Sequence, residues 1–214
     1  MESENIILID KPKGITSFDV IRRLRKKLGI RKMGHAGTLD PLASGLLIIG
    51  VEKGTKQLKD LIGLDKEYDA EVLLGIRTDM GDMEGEILEE KAVDIDSISA
   101  NLGDVLNELV GVLELPVPIY SAIKRGGEAL YKKARRGEDV EPPIKRMEIK
   151  SIELLDTKQV ENKVVLNIRL EVSSGTYIRS IAEEIGHRLG VPATIQNLRR
   201  TKVGDFDIKD AEGI

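Results

Sequence analysis

The stretch that most constrains this chain is Gly34-His35-Ala36-Gly37-Thr38-Leu39-Asp40-Pro41-Leu42-Ala43-Ser44-Gly45. Three glycines and a proline stand there between a strongly basic segment, Arg22 to Lys32, and an apolar run, Gly45 to Val51. That composition specifies a loop whose backbone approaches something closely, since glycine leaves room where any side chain would collide. Its one carboxylate is Asp40. The proline after it pushes Asp40 toward extended backbone, so the group is held at a defined place in a loop and off any helix face. Such a placement suits a reactive group, and an Asp-Pro turn starter is the plainer alternative.

Around this loop, strand and helix signals follow one another without regular alternation. Asn5 to Ile9 reads as a short buried strand, and Thr16 with Asp19 forms a capping box ahead of Ile21, Leu24 and Leu28, which recur at helical spacing as far as Gly29. Gly45 to Val51 reads as a strand and Lys53 to Ile62 as a helix. Glu67 to Leu74 is a strand, Gly75 to Glu90 an acidic excursion, and Ile95 to Val110 a helix. Leu113 to Ile123 is extended, interrupted by Pro116 and Pro118, and Glu128 to Arg136 is a short basic helix. Met147 to Leu155 and Lys163 to Val172 alternate like a hairpin pair. Ile178, Ile181, Ala182, Ile185 and Leu189 mark an amphipathic helix before a last strand, Thr194 to Val203. This order excludes a doubly wound sheet and predicts an α+β fold: a mixed, largely antiparallel central sheet with flanking helices. At 214 residues the expectation is a single domain, residues 1–214, with a polar, breaker-rich and mobile insertion around 121–145.

Composition removes several chemistries. There is no cysteine, which excludes disulfides, thiol nucleophiles and cysteine zinc sites, and the only histidines are His35 and His187, in no metal-binding pattern. No metal is expected and no cofactor. The acidic start, Met1 to Glu4, leads into an apolar run too short for a signal sequence or a membrane span, so the chain is expected to be cytoplasmic and off the membrane. The net charge of -4 conceals an uneven distribution. Arg22, Arg23, Arg25, Lys26, Lys27, Arg31 and Lys32 form one basic cluster, Lys124, Arg125, Lys132, Lys133, Arg135 and Arg136 a second, and Arg199, Arg200 and Lys202 a third. A polyanion is the partner such a surface fits. The acidic residues from Asp79 to Asp96 read as a solvated face turned away from it.

Phosphate-binding loops fail on inspection: Gly45 and Gly50 have the separation, but Val51 stands where lysine is required. No nucleophile-elbow pattern supports a Ser-His-Asp site. If Asp40 works ionised it needs a cation beside it, because burial alone would neutralise it. Arg179 in the first turn of the amphipathic helix is a candidate, the alternative being a surface arginine paired with Glu183 at i+4. Tyr68 and Tyr177 are each a core residue or a functional one. His35 either meets a ligand or is satisfied within the glycine loop. Periodicity alone makes Leu198 core.

Lys11-Pro12-Lys13-Gly14-Ile15-Thr16-Ser17, followed by Gly34 to Gly45, closely resembles the signature of the TruB family of tRNA pseudouridine synthases. The likeness continues in order through Lys66-Glu67-Tyr68, Gly75-Ile76-Arg77-Thr78-Asp79, Pro118 to Lys124, Ser174-Gly175-Thr176-Tyr177-Ile178-Arg179 and Leu198-Arg199-Arg200. What the resemblance implies is a tRNA pseudouridine synthase acting on the T-loop uridine, position 55. It further implies that Asp40 is the catalytic aspartate, that Tyr68 stacks on the target base and acts in proton removal, and that Arg179 pairs with Asp40. By the same matching His35 helps remodel the T loop, Tyr177 and Leu198 line the base pocket, and Lys11 belongs with the substrate-binding residues. The partner is then the T stem-loop of tRNA, the 121–145 insertion resembles the family's RNA-clamping thumb, and the chain is expected to act as a monomer. The C-terminal PUA domain common in the family is expected to be absent.

The implied chemistry breaks the N1 glycosidic bond of uridine, turns the base and re-forms the bond through C5. Nothing is oxidised and no group leaves. A carboxylate serves it by attacking C6 of the base or C1′ of the sugar, or by stabilising positive charge on the sugar. A base inside a folded loop must first be flipped out. With 3% aromatic residues the chain is poor in stacking platforms, so the RNA is expected to be read by shape.

Overall fold

The computed structural model describes residues 5–138 and 140–214; the acidic residues 1–4 and the side chain of Arg125, a member of the second basic cluster, lie outside the described residues. In chain order the elements are β1 (Ile6–Lys11), α1 (Ser17–Leu28), β2 (Met33–Ala36), β3 (Ser44–Val51), α2 (Leu58–Ile62), β4 (Lys66–Leu74), β5 (Ile76–Thr78), β6 (Ile87–Glu90), α3 (Ile95–Glu108) and β7 (Gly111–Pro116). There follow β8 (Lys124–Arg125), β9 (Glu128–Ala129), α4 (Leu130–Ala134), β10 (Ile144–Val160), β11 (Lys163–Val172), α5 (Ile178–Leu189), β12 (Ala193–Val203), β13 (Phe206–Asp207) and β14 (Glu212–Gly213). Among the described residues a ten-stranded mixed sheet runs in the order β14-β1-β3-β12-β4-β11-β10-β7, with β2 on β3 and β13 on β12; β5–β6 and β8–β9 are separate two-stranded ribbons. The class is therefore α+β, as the mixture of elements requires.

The chain divides into two compact units: Met1–Ala70, Arg169–Ser174 and Asn197–Ile214 form the first, Glu71–Ile168 and Gly175–Gln196 the second. In the first, β3 is the hub. Leu46, Leu47, Ile48 and Ile49 are fully buried, which explains why this strand is apolar on both faces. β1 pairs with it antiparallel from Ile6↔Gly50 to Lys11↔Gly45, β2 antiparallel from Met33↔Val51 to Ala36↔Ile48, and β12 parallel at Arg199↔Ser44 and Arg200↔Gly45. Gly34, His35 and Ala36 are thus strand, and the loop expected over 34–45 is confined to 37–43. Four residues are too few to show a period of two; the ladder with β3 makes them a strand. Below the sheet Ala36, Leu46, Ile48, Leu58 and Val203 form a core.

Helix α1 is built as its sequence directs. Thr16 and Asp19 complete the capping box, and Gly29 ends the helix in the left-handed conformation at φ 69°. Val20, Ile21 and Leu24 are buried, and Arg22, Arg23, Lys26 and Lys27 stand exposed. The helix expected over 53–62 is instead a 3-10 turn, Glu52–Lys56, followed by α2. Within the 3-10 turn Gly54 lets the backbone pass against Asn5, where any Cβ would collide with the carbonyl oxygen.

In the second unit α3 and α5 pack on each other, α3 against β10 and α5 against β7. Asp94 caps α3 through the Asp96 amide, and Ile98, Leu102, Val105 and Leu106 form its buried stripe. Ile181 and Ile185 do the same for α5, which stops at left-handed Gly190. β10 is longer than its alternating pattern, starting at Ile144 and pairing with β7 from Ile144 to Ile149. Among the described residues no helix is long and apolar enough to cross a membrane, and no group of three or more histidine or carboxylate side chains could hold a metal ion.

Candidate active site

Lys11, His35, Asp40, Tyr68 and Leu198 fall in the first unit; Tyr177 and Arg179 fall in the second. The two sets are built differently.

Asp40 is half-buried in the segment between β2 and β3. The residue before it is pinned from both sides of its peptide: the Ser17 hydroxyl donates to the Leu39 carbonyl at 3.0 Å and accepts from the Leu39 amide at 2.8 Å. The residue after it is pinned as well, the Pro41 carbonyl accepting from the Gly14 amide at 2.8 Å. The Asp40 carbonyl accepts from Ala43, closing a turn. Asp40 is therefore both a turn residue and a carboxylate on a fixed backbone. Lys11, fully buried, holds the other side of the seam: its ammonium donates to the carbonyls of Ile15 at 2.8 Å and Pro12 at 3.0 Å, which satisfies a charge that burial would otherwise destabilise.

At the end of the loop, Gly45 sits at φ 105° with Arg200 directly alongside; a Cβ there would lie 2.3 Å from the Arg200 carbonyl oxygen. Arg200 is 1% exposed and threads its guanidinium under the loop, Nε donating to the Leu46 carbonyl at 2.8 Å and Nη2 to the Gly37 carbonyl at 3.2 Å. This charge reaches His35. Burial first and the Arg200 charge second hold His35 below the ordinary histidine value, against a hydrogen bond with the Gly37 backbone, so the ring is neutral at pH 7. Among the described residues its buried Nδ1 has no hydrogen-bond partner. Tyr68 and Leu198 are both buried, on β4 and β12. The start of β4 is fixed by Lys66, which donates to the carbonyls of Ile62 and Leu64 and to the Ser174 hydroxyl; burial and then Arg200 lower its pKa to about 8.

In the second unit Arg179 is 5% exposed, so it is not the surface arginine of the plainer reading. Its Nη1 donates to the Met80 carbonyl at 2.7 Å, its Nη2 to the Tyr120 carbonyl at 3.0 Å, and its Nε lies 4.0 Å from the Asp82 carboxylate. Asp82 is itself buried, and its Oδ1 accepts from the Glu84 amide at 3.1 Å. The acidic stretch is thus not wholly a solvated face: its first turn folds inward around an arginine. Gly81, at φ 72°, makes this possible, since a Cβ there would press on the Arg179 Cβ at 3.3 Å. Hydrogen bonds Ile195 N–H to Gly81 carbonyl and Met83 N–H to Ile195 carbonyl fasten the turn to β12. Glu183, one helical turn beyond Arg179, is pushed above the ordinary carboxylate range by burial, with Arg77 and Arg179 opposing. Tyr177 is half-buried at the N-cap of α5; its amide reaches the Met147 sulfur at 3.5 Å and the Lys145 ammonium lies 5.6 Å from its ring centroid.

Ser17, Lys66, Asp82 and Tyr120 shape these two constellations, and residue-by-residue reading passed over them. For Ser17, Lys66 and Tyr120 a signal existed, since all three lie inside the matched motifs; Asp82 gave none, because an aspartate in an acidic run looks solvated.

Comparison with known proteins adds a family match. The TruB family pseudouridylate synthase (N terminal domain) matches residues 25–178, and the tRNA pseudouridylate synthase B C-terminal domain matches residues 179–213. The chain is 40% identical over 213 residues to tRNA pseudouridine synthase B of Leifsonia xyli, covering 99% of this chain and 70% of that protein. It is 45% identical over 206 residues to tRNA pseudouridine synthase B of Fusobacterium nucleatum, covering 96% and 70%. Among solved structures, a chain in the crystal structure of a Cbf5-Nop10-Gar1 complex superposes with a TM-score of 0.72 at 31% identity, over 98% of this chain and 52% of that one. This chain therefore spans about half the length of that solved relative.

Proposed function

The chain belongs to the TruB family of pseudouridylate synthases, and from that membership we propose that it isomerises the T-loop uridine of tRNA, position 55, to pseudouridine, with Asp40 as the catalytic carboxylate. As an isomerase of tRNA uridine it cleaves N1–C1′ and forms C5–C1′, moving the C5 proton off and a proton onto N1 with no net change in atoms. That balance needs no redox partner.

Each side chain receives a role under this reading. Asp40 acts on the flipped-out nucleotide, and Arg179 belongs to the catalytic set. Tyr68 stacks on the base and takes part in moving the C5 proton, and Tyr177 and Leu198 belong with the base-binding residues, which keep the freed uracil from water. His35, neutral and with an unpartnered nitrogen, fills or props the T loop once the base has left it. Lys11, placed with the substrate-binding residues, holds the 12–16 loop whose Gly14 amide pins Pro41. The exposed face of α1 supplies phosphate contacts, the 121–145 segment clamps the RNA, and the chain works as a monomeric catalytic domain.

The observation that carries the reading is the double pinning of Leu39 and the pinning of Pro41, which fix the backbone of a half-buried aspartate inside the family's matched region. Preorganisation of that kind is what covalent or electrostatic catalysis by a carboxylate requires. The test is to incubate unmodified tRNA transcript with the protein and map pseudouridine by base-specific derivatisation. We expect modification at the T-loop uridine alone, and Asp40→Asn to lower single-turnover conversion by more than about 10³-fold while tRNA affinity stays within about threefold. Modification at another uridine overturns the target, and substantial turnover by Asp40→Asn overturns the role of the carboxylate.

A further inference from the structure

Two carbonyls from segments far apart in sequence, Met80 and Tyr120, receive the two terminal nitrogens of Arg179. Each belongs to or adjoins a residue whose side chain meets the other segment: the Tyr120 hydroxyl hydrogen-bonds to the carboxylate of Asp79, the residue before Met80. From this juxtaposition we infer that the Asp79–Tyr120 hydrogen bond is a positioning device for Arg179, a cross-link that sets the separation of the two carbonyls gripping the guanidinium. The inference rests on the reading of Arg179 as part of the catalytic set.

The surroundings fit a rigid strut. Asp79 Oδ1 also accepts from the Glu86 amide at 2.8 Å, and the Asp79 amide donates to the Glu86 carbonyl at 3.1 Å, so the carboxylate is anchored in the β5–β6 ribbon before it reaches Tyr120. Gly85 leaves the space for it, since a Cβ there would lie 2.4 Å from Asp79 Oδ1. Desolvation first, then the Asp79 charge and hydrogen bond, hold the Tyr120 phenol above its ordinary value, which keeps it protonated and donating across the neutral range. The other side of Tyr120 leads to α4: the next carbonyl, of Ser121, accepts from the Tyr131 amide at 3.1 Å, and the Ile123 carbonyl accepts from Leu130 at 2.8 Å. Tyr120 thus stands at a junction where the basic segment over 124–136, the acidic turn and Arg179 meet through hydrogen bonds. A guanidinium offers fixed planar donor directions, so a shift of either carbonyl redirects the whole group.

The experiment is a kinetic double-mutant cycle on the full chain with tRNA. Tyr120→Phe keeps the ring and removes only the hydroxyl; Asp79→Ala removes the acceptor and Asp79→Asn retains one. We expect Tyr120→Phe and Asp79→Ala each to lower kcat roughly five- to tenfold with KM within about twofold, since one hydrogen bond is lost at a site where orientation governs rate. Asp79→Asn should recover most of the loss, and the double variant Asp79→Ala/Tyr120→Phe should fall no lower than the worse single. Wild-type kcat in Tyr120→Phe overturns the inference, and so do losses that multiply in the double variant. Arg179→Lys separates the two readings: a collapse of kcat there with none in Tyr120→Phe removes only the strut, whereas unchanged kcat in Arg179→Lys removes the catalytic arginine and the strut with it.

Discussion

The Asp40 segment and the Arg179 turn hold opposite charges by opposite means. Around Asp40 it is main chain that is fixed, at Leu39 and Pro41, by Ser17 and Gly14. Around Arg179 the side chain itself is gripped, by the carbonyls of Met80 and Tyr120 and by Asp82 at 4.0 Å. A short acid is aimed through its backbone, because one rotatable bond beyond Cβ leaves little else to control. A long cation has to be held along its length, since its rotamer freedom is worth up to about 2 kcal/mol.

The difference is sharpest in the glycines, where the largest effect is expected. Gly45→Ala places a Cβ 2.3 Å from the backbone of Arg200 at φ 105°. Neither strand can withdraw without breaking the β3–β12 register, so we expect a loss of about 3 kcal/mol or more in denaturant unfolding, or failure to fold. A Gly45→Ala protein of wild-type stability would show the first unit to be looser than its contacts imply. Ser17→Ala comes next: it leaves the buried Leu39 amide and carbonyl without their partner and should cost about 1–3 kcal/mol, with a fall in kcat from a mobile Asp40. If stability falls but kcat does not, the backbone pinning is structural only.

Gly81→Ala tests the other region. Its Cβ meets Arg179 at 3.3 Å, a contact that a shift of a few tenths of an ångström relieves, in a backbone conformation that costs an L-residue about 1–2 kcal/mol. We expect modest destabilisation but a kcat loss out of proportion to it, the reverse of Gly45→Ala in emphasis. Equal ratios of the two effects in both variants would dissolve the distinction. The smallest effect concerns Glu183, which burial holds above the usual carboxylate range. A raised folded-state value means the group stabilises fully below its unfolded value near 4.3 and that this contribution is lost as pH rises through the folded value. Glu183→Gln should therefore raise Tm slightly at pH 8 and leave it unchanged near pH 4. A difference independent of pH would mean that packing, not ionisation, is responsible.

These two regions were not equally legible. In the Asp40 segment the glycines, the Asp-Pro pair and the capping box at Thr16 are local signals, and local backbone chemistry reads them. What could not be read was that Gly34 to Ala36 is strand, since that depends on a ladder with residues 48–50. The Arg179 turn was almost opaque. Asp82 lies in an acidic run and Tyr120 near prolines, and nothing in either neighbourhood announces an arginine some sixty to a hundred residues later.

By itself the sequence determined the helices α1, α3 and α5 with their stripes, the capping box of α1, the buried strand β3, the absence of thiol chemistry, the α+β class and the family signature, because each depends on residues a few positions apart or on composition. Only tertiary structure decided that Lys11 and Arg200 are buried cations spent on loop carbonyls, that the segment after β3 is a 3-10 turn touching Asn5 at Gly54 before α2 begins, and that an acidic turn closes over Arg179. Those outcomes turn on desolvation and on close approach between distant segments, and a charge meets its partner or its water only after the chain has folded.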